Sequence, residues 1–282
     1  MIAARRVSFL IAAGMLMTVT MVWPGRVTAH HSWGKYHWAR ATNPLMLDVG
    51  TNLNSNWMSH LSGAIADWNE SSVLSLRIVS GESDPSTCPP TSGRIEVCNA
   101  NSGNTGWLGV AQIWTANRSH IVQATARMND FYFNQPQYNT SAWRQLVMCQ
   151  EVAHDFGLDH QDENFSNPNL GTCMDYTSDP EGPPSNEHPN QHDYDQLVSI
   201  YSHLDTGGGG GGGGGGRGGG GGGGRGGSGV PGIAPFPPQA ADVVSDDPRQ
   251  WGMLVQSSGR AALFERDLGN GNRVFTFVIW AR

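Results

Sequence analysis

Charge is what this 282-residue chain has least of: Asp, Glu, Lys and Arg make up 15% of it. Acidic side chains outnumber basic ones 24 to 17, giving a formal net charge of -7 and a pI near 5.7. No basic stripe is available to neutralise phosphates, which excludes nucleic acid and anionic membrane surfaces as partners. The apolar run from Val7 to Val22 is also too short for a bilayer, which needs roughly 20 residues. With Arg5 and Arg6 ahead of it and Val27-Thr28-Ala29 behind, it reads instead as a secretory signal peptide over residues 1–29, so the chain is expected to be secreted and free of the membrane after cleavage. Cysteine is confined to Cys88, Cys98, Cys149 and Cys173. In an exported chain four cysteines imply two disulfides rather than a thiol site, and of the three pairings sequence order favours Cys88 with Cys98 and Cys149 with Cys173.

What is present is an α/β pattern. Leu45 to Val49 reads as a strand, Trp57 to Glu70 carries apolar residues at helical spacing, and Val73 to Ser80 is β-branched and alternating. Strand, helix, strand is a parallel crossover unit. Arg94–Cys98, Gly106–Thr115 and Ile121–Asn129 supply three more strands, five in all. Thr140 or Ser141 can cap a helix that ends at Gly157, and a last helix runs from about Gln191 to Leu204. Residues 30–206 therefore form the main domain. A Gly- and Pro-rich linker follows over 207–248; its glycine tract, Gly207 to Gly229, has no side chains to bury and reads as a tether spanning roughly 25 Å. The tail, 249–282, alternates apolar and polar residues in three runs with Asn270-Gly271 between the last two, a tight-hairpin signal. This small β module is too short to be stable alone and is expected to dock on the main domain or on a partner.

The chemistry concentrates between Gln150 and Tyr176. His154, Gly157 and His160 follow the pattern HxxGxxH, with Glu151 three residues before the first histidine. On a helix at about 100° per residue, Gln150 and His154 share one face, a turn apart. Gly157 can take a positive φ that stops the helix and swings His160 toward the same point. Three ligands leave a fourth position open on a metal ion, the arrangement of a catalytic site, and Glu151 adjoins the ligand face as a base for a bound water.

These residues resemble the metzincin zinc endopeptidases of matrixin and astacin type, whose signature is HExxHxxGxxH followed by a methionine turn. Glu151, His154, Gly157, His160 and Met174 match, and Gln150 stands where the family has its first histidine. The resemblance covers roughly residues 40 to 205. It implies a metzincin-like mixed five-stranded sheet with an active-site helix and a C-terminal helix, and a Zn²⁺ held by Gln150, His154 and His160. It further implies Glu151 as general base, Met174 as the floor under the metal, and Tyr176 as an approach to the oxyanion. The strand through Gly109, Val110, Ala111 and Gln112 would correspond to the edge strand that pairs with an extended protein or peptide substrate.

Some residues lie outside this scheme. Asp155, Asp159, Asp162 and Glu163 are either a Ca²⁺ site or a solvated acidic face, and their order does not match an EF-hand loop. His37, His60, His120, His188, His192 and His203 share no ligand spacing with the motif and read as surface or capping histidines.

Overall fold

The computed structural model describes residues 31–32, 34–117, 119–205 and 244–281. The expected signal peptide and glycine tract lie outside them. Strand β1 is His37–Trp38, and β2, Leu45–Asn52, leads into helix α1, Ser55–Trp68. The Asn54 side chain accepts the Asn56 N–H and so caps α1, which buries Trp57, Leu61, Ala64, Ile65 and Trp68 on one face. Strand β3, Leu74–Ser80, returns parallel to β2 and pairs with it directly, as the crossover pattern requires. Then come β4 (Ile95–Ala100), β5 (Trp107–Ala116), β6 (His120–Asn129), the single turn α2 (Asp130–Phe133), α3 (Ser141–His154) and α4 (Gln191–Ile200). The C-terminal strands are β7 (Met253–Ser258), β8 (Ala261–Gly269) and β9 (Asn272–Trp280). Among the described residues no helix is long and apolar enough to cross a membrane.

The fold is mixed α/β. The five strands read from the sequence are β2 to β6, and they belong to one nine-stranded sheet of order β3-β2-β4-β6-β5-β9-β8-β7, with β1 parallel to the start of β6. The C-terminal strands are thus not a separate body. They continue the sheet from β5, through a β8–β9 hairpin that turns at Asn270-Gly271.

That continuation corrects one expectation. Strand β5 is not an edge strand, because β6 pairs it on one side and β9 on the other, both antiparallel. Gly109, Val110, Ala111 and Gln112 lie opposite Ile279, Val278, Phe277 and Thr276. The physical reason is that an open row of amides and carbonyls is a template for any available strand, and the chain carries one in its own tail. Every residue of β5 is buried.

Helix α3 packs against α1 and against β5 and β6. Thr140 caps it by accepting the Trp143 N–H at 3.2 Å, and every residue from Gln145 to His154 is buried. On the other side of the sheet Trp251 closes a small cluster with Trp107, Val110 and Val278. Helix α4 stops four residues short of its expected end. Tyr201 leaves helical geometry because its hydroxyl is committed elsewhere: it donates to the Phe156 carbonyl at 2.9 Å and receives the Trp38 N–H at 3.3 Å. The chain then folds back along β1, with Arg40 N–H donating to Asp205 Oδ2 and Asp205 N–H to the Arg40 carbonyl.

Candidate metal centre

Helix α3 carries its chemistry inward. Gln150, Glu151 and His154 are each at most 1% exposed. Burying polar side chains this completely costs free energy wherever a donor or acceptor goes unmatched, about 1 to 3 kcal/mol per group. The cost is concentrated on one helical turn, which makes that turn a candidate functional site.

The turn after α3 depends on Gly157. Its φ of 100° belongs to the region glycine tolerates, and a Cβ there would collide with the Tyr36 carbonyl oxygen. The reversal brings His160 back to His154, whose Nε2 lies 3.0 Å from His160 Nε2. His154 Nδ1–H donates to the Leu158 carbonyl at 2.8 Å, which leaves the lone pair on Nε2. His160 is held from behind: its Nδ1 lies 3.5 Å from Asp159 Oδ1 and 3.4 Å from Glu163 Oε1. Carboxylates placed behind a histidine in this way orient metal-binding imidazoles and raise their basicity. Two nitrogens sharing a tetrahedral zinc would sit about 3.3 Å apart, so the pair is close to a bridging geometry.

Gln150 supplies an oxygen. Its Nε2–H donates to the Cys173 carbonyl at 2.9 Å, while Oε1 is buried with no hydrogen-bond partner. The Cys149–Cys173 disulfide fastens the same two segments together, and Cys88–Cys98 ties the preceding loop to β4. Met174 is fully buried just beyond. The loop carrying it runs beside the histidine segment, with Gln161 N–H donating to the Met174 carbonyl and Tyr176 N–H to the Asp162 carbonyl. Tyr176 is brought in this way to His160, its hydroxyl 2.7 Å from Nε2. An orphaned amide oxygen and two facing imidazole nitrogens form a donor set that fits zinc.

Glu151 points at β5. Gly109 makes the room, since a Cβ on it would stand 2.6 Å from Glu151 Oε1 and equally close to Val147 Cγ1. Burial pushes the Glu151 carboxyl well above its ordinary range, and the Ala111 N–H opposes the shift only in part. Glu151 Oε2 has no partner. Burial pushes the neighbouring Asp155 carboxyl well up too, with the Glu151 charge adding to it. Burial, and then the His160 charge, hold His154 well below the usual histidine range. Burial likewise raises Tyr176 well above the usual phenol range, with the Glu151 carboxylate reinforcing it. The tyrosine thus stays an O–H donor.

No protein-family model matches the chain, and no curated protein matches it. Among solved structures it is similar to high choriolytic enzyme 1, a hatching enzyme zinc-protease from Oryzias latipes (Medaka fish), at 12% identity and a TM-score of 0.34. The similarity covers 62% of this chain and 99% of that one. At that score it carries no weight for function, and the reading of the site rests on its side chains.

Sequence reasoning missed Phe277. Its ring, from β9, stacks on His154 with centroids 4.2 Å apart and planes within 8°. With Leu263 and Ala261 it leaves almost no free space over His160 and Glu163. The alternation Phe275, Phe277, Ile279 marks an inward face in the sequence, but not the face it would meet. The four acidic residues considered for calcium do not gather: Asp155 is buried below α3, Asp159 and Glu163 flank His160, and Asp162 Oδ1 accepts the Asn164 N–H of its own turn.

Proposed function

We propose that this chain is a secreted zinc-dependent endopeptidase of metzincin-like fold that rests in a closed form. In this reading residues 1–29 are its export signal, 30–206 its catalytic domain, 207–248 a linker and 249–282 a docked β unit. Gln150 Oε1, His154 Nε2 and His160 Nε2 would hold the ion, with Met174 buried beside them. The observation that carries the reading is the buried Gln150 oxygen without a partner, on the same helical turn as a histidine whose free nitrogen faces a second one. When bound, zinc supplies Lewis-acid polarisation of a peptide carbonyl and a more acidic water. Glu151 takes the proton of the attacking water at Oε2 and passes it to the leaving amine. The Tyr176 hydroxyl donates to the oxyanion as it develops.

Strand β9 lies where an extended peptide would pair with β5, and Phe277 covers His154. Both contacts support a latent state in which the tail fills the cleft and keeps Glu151 dry, with its carboxyl pushed toward the neutral form. Release of β9 rehydrates Glu151 and returns it to the carboxylate form a base requires. The fully burying environment is otherwise hard to reconcile with a working base.

The test is Glu151→Gln in the full chain, assayed on casein with and without chelator. Loss of chelator-sensitive cleavage with the far-UV spectrum retained is expected. Cleavage at the parental rate would overturn the assignment.

A further inference from the structure

The geometry points to a second zinc site, built from His37, His203 and Asp205, with His120 alongside Asp205, and separate from the α3 centre. Three parts of the fold deliver these residues to one point. Strand β1 pairs in parallel with β6 so that His37 stands directly opposite His120. The early end of α4 at Tyr201 then turns the chain back, which sets His203 and Asp205 beside them.

The three imidazoles address a single oxygen. Nε2 of His37 lies 3.4 Å from Asp205 Oδ1, and Nε2 of His120 and of His203 each lie 3.3 Å from it. The rings of His120 and His203 stand edge-on to His37 at centroid distances of 5.0 and 4.9 Å. Direct hydrogen bonds to a carboxylate run shorter, at about 2.7 to 2.9 Å. Ligands about 2.0 to 2.1 Å from a tetrahedral zinc ion, by contrast, are separated by roughly 3.3 Å. The distances to Asp205 Oδ1 match edges of such a tetrahedron, and the ligand atoms of His37, His203 and Asp205 all lie within 4.8 Å of one another, a group that His120 does not join.

Proton accounting leads the same way. His37 Nδ1–H donates to the Lys35 carbonyl at 2.7 Å, so in the neutral ring Nε2 carries a lone pair, and that lone pair faces a carboxylate oxygen. Two acceptors in contact repel. Protonating His37 would satisfy this one pair. Neutral His120 and His203 can each donate from Nε2 to the same oxygen, so the conflict is confined to His37. A divalent cation between His37, His203 and Asp205 removes that conflict, and the carbonyl behind His37 is the kind of outer partner that fixes the tautomer of a metal-binding histidine. The other Asp205 oxygen is already fixed by the Arg40 N–H. Two imidazole nitrogens and one carboxylate suit Zn²⁺ rather than Ca²⁺ or Mg²⁺, which take oxygen ligands.

The site opens on a cavity of about 500 Å³ lined also by Ser119, Ser199 and Ser202, so an ion can enter from solvent. His37 is buried, His120 is one-quarter exposed at its side chain and His203 about one-half. A bound ion would pin the segment before β2 to the segment after α4, with His120 holding Asp205 from the start of β6. The role this gives the ion is structural, a clamp between chain segments.

The experiment compares the full chain with its His120→Asn/His203→Asn variant, chosen because these two side chains are the more exposed. Both proteins are stripped with chelator, re-equilibrated with zinc alone, desalted and measured for bound metal. We expect the variant to hold one equivalent less, whether or not the α3 centre is loaded, because the readout is the difference between the two proteins. The unaltered chain loaded with Co²⁺ should also show the visible absorption of a four-coordinate ion that the variant lacks in part. Should the variant fail to fold, zinc-edge anomalous scattering from crystals of the unaltered chain decides, by a peak among these four side chains. Equal zinc content in the two folded proteins, or no peak there, overturns the site.

Discussion

If β9 occupies the substrate position, weakening its hold should activate the enzyme. Phe277 is the residue to change. It is 1% exposed, faces Ala111 across the β5–β9 ladder, and lays its ring flat on His154. Truncating a buried phenylalanine to alanine costs about 3 to 5 kcal/mol. Taking the lower figure for a strand that can repack, the ratio of open to closed forms rises on the order of 100-fold. Peptide cleavage by Phe277→Ala should rise by up to that factor, levelling off once the open form predominates. The assay is continuous cleavage of a quenched-fluorophore peptide mixture, with chelator as the blank and the far-UV spectrum as the check on folding. An unchanged or lower rate in a variant that retains its fold and its zinc would refute the latent state. Phe264→Ala is the control, since that residue packs with Trp251 on the opposite cluster and does not touch His154 in the ring contacts.

Other substitutions test the remaining parts. Gln150→His should tighten zinc binding, because imidazole is a better donor than an amide oxygen; competition with a chromophoric chelator measures it, and unchanged affinity would remove Gln150 from the ligand set. Gly109→Ala should push Glu151 aside, since the new Cβ would sit 2.6 Å from its Oε1. The expected result is kcat lower by up to about 100-fold with zinc content unchanged, and an unaltered kcat would argue against Glu151 as the base. His60 gives a pH prediction. Burial lowers its pKa in the fold, while the Gln145 contact partly resists. The unfolded chain therefore binds the extra proton first as pH falls through about 6.5, and the fold loses stability below that point. Against His60→Gln, the difference in unfolding free energy should be constant above about pH 7.5 and turn against the parent chain as pH falls. A difference that stays flat down to pH 5 would show that His60 is not desolvated.

How much of this could be read in advance follows the distance over which each feature is encoded. The α3 centre was legible because its parts are local: Gln150, Glu151 and His154 share a helical turn, and Gly157 and His160 follow within six residues of His154. The crossover of β2, α1 and β3 was legible for the same reason. The partner of β5 was not. Residues 107–116 meet 272–280 across more than 150 residues of chain, and period-two alternation tells which way a side chain faces without naming the strand beside it. One clue was available: β5 reads WLGVAQIWTA, almost continuously apolar, which suits a strand covered on both faces and interior to its sheet. The histidines of the second site had no spacing to announce them, since His37, His120 and His203 are gathered by one strand register and one early helix end.

The linker turns the closed form into a statement about substrates. If the glycine tract acts as the tether proposed above, β9 competes from an effective concentration in the millimolar range, as for short flexible linkers. A peptide at micromolar concentration therefore starts about a thousandfold behind β9 for the same row of amides and carbonyls on β5. The tail also brings side-chain burial that a random peptide lacks: Phe275, Phe277 and Ile279 are each 1% exposed. Simple displacement by dilute substrate is thus a poor route to activity. The chain would need an event that acts on the tail itself, and cleavage within the glycine tract is the most direct. It converts an intramolecular strand into a free one and removes the millimolar advantage without altering a residue of the site. A protease site inserted in that tract should leave zinc content unchanged and raise peptidase activity on cutting and dilution. If activity did not rise after the freed segment had been separated from the main domain, β9 would be a permanent part of the fold and the catalytic reading would fall with it.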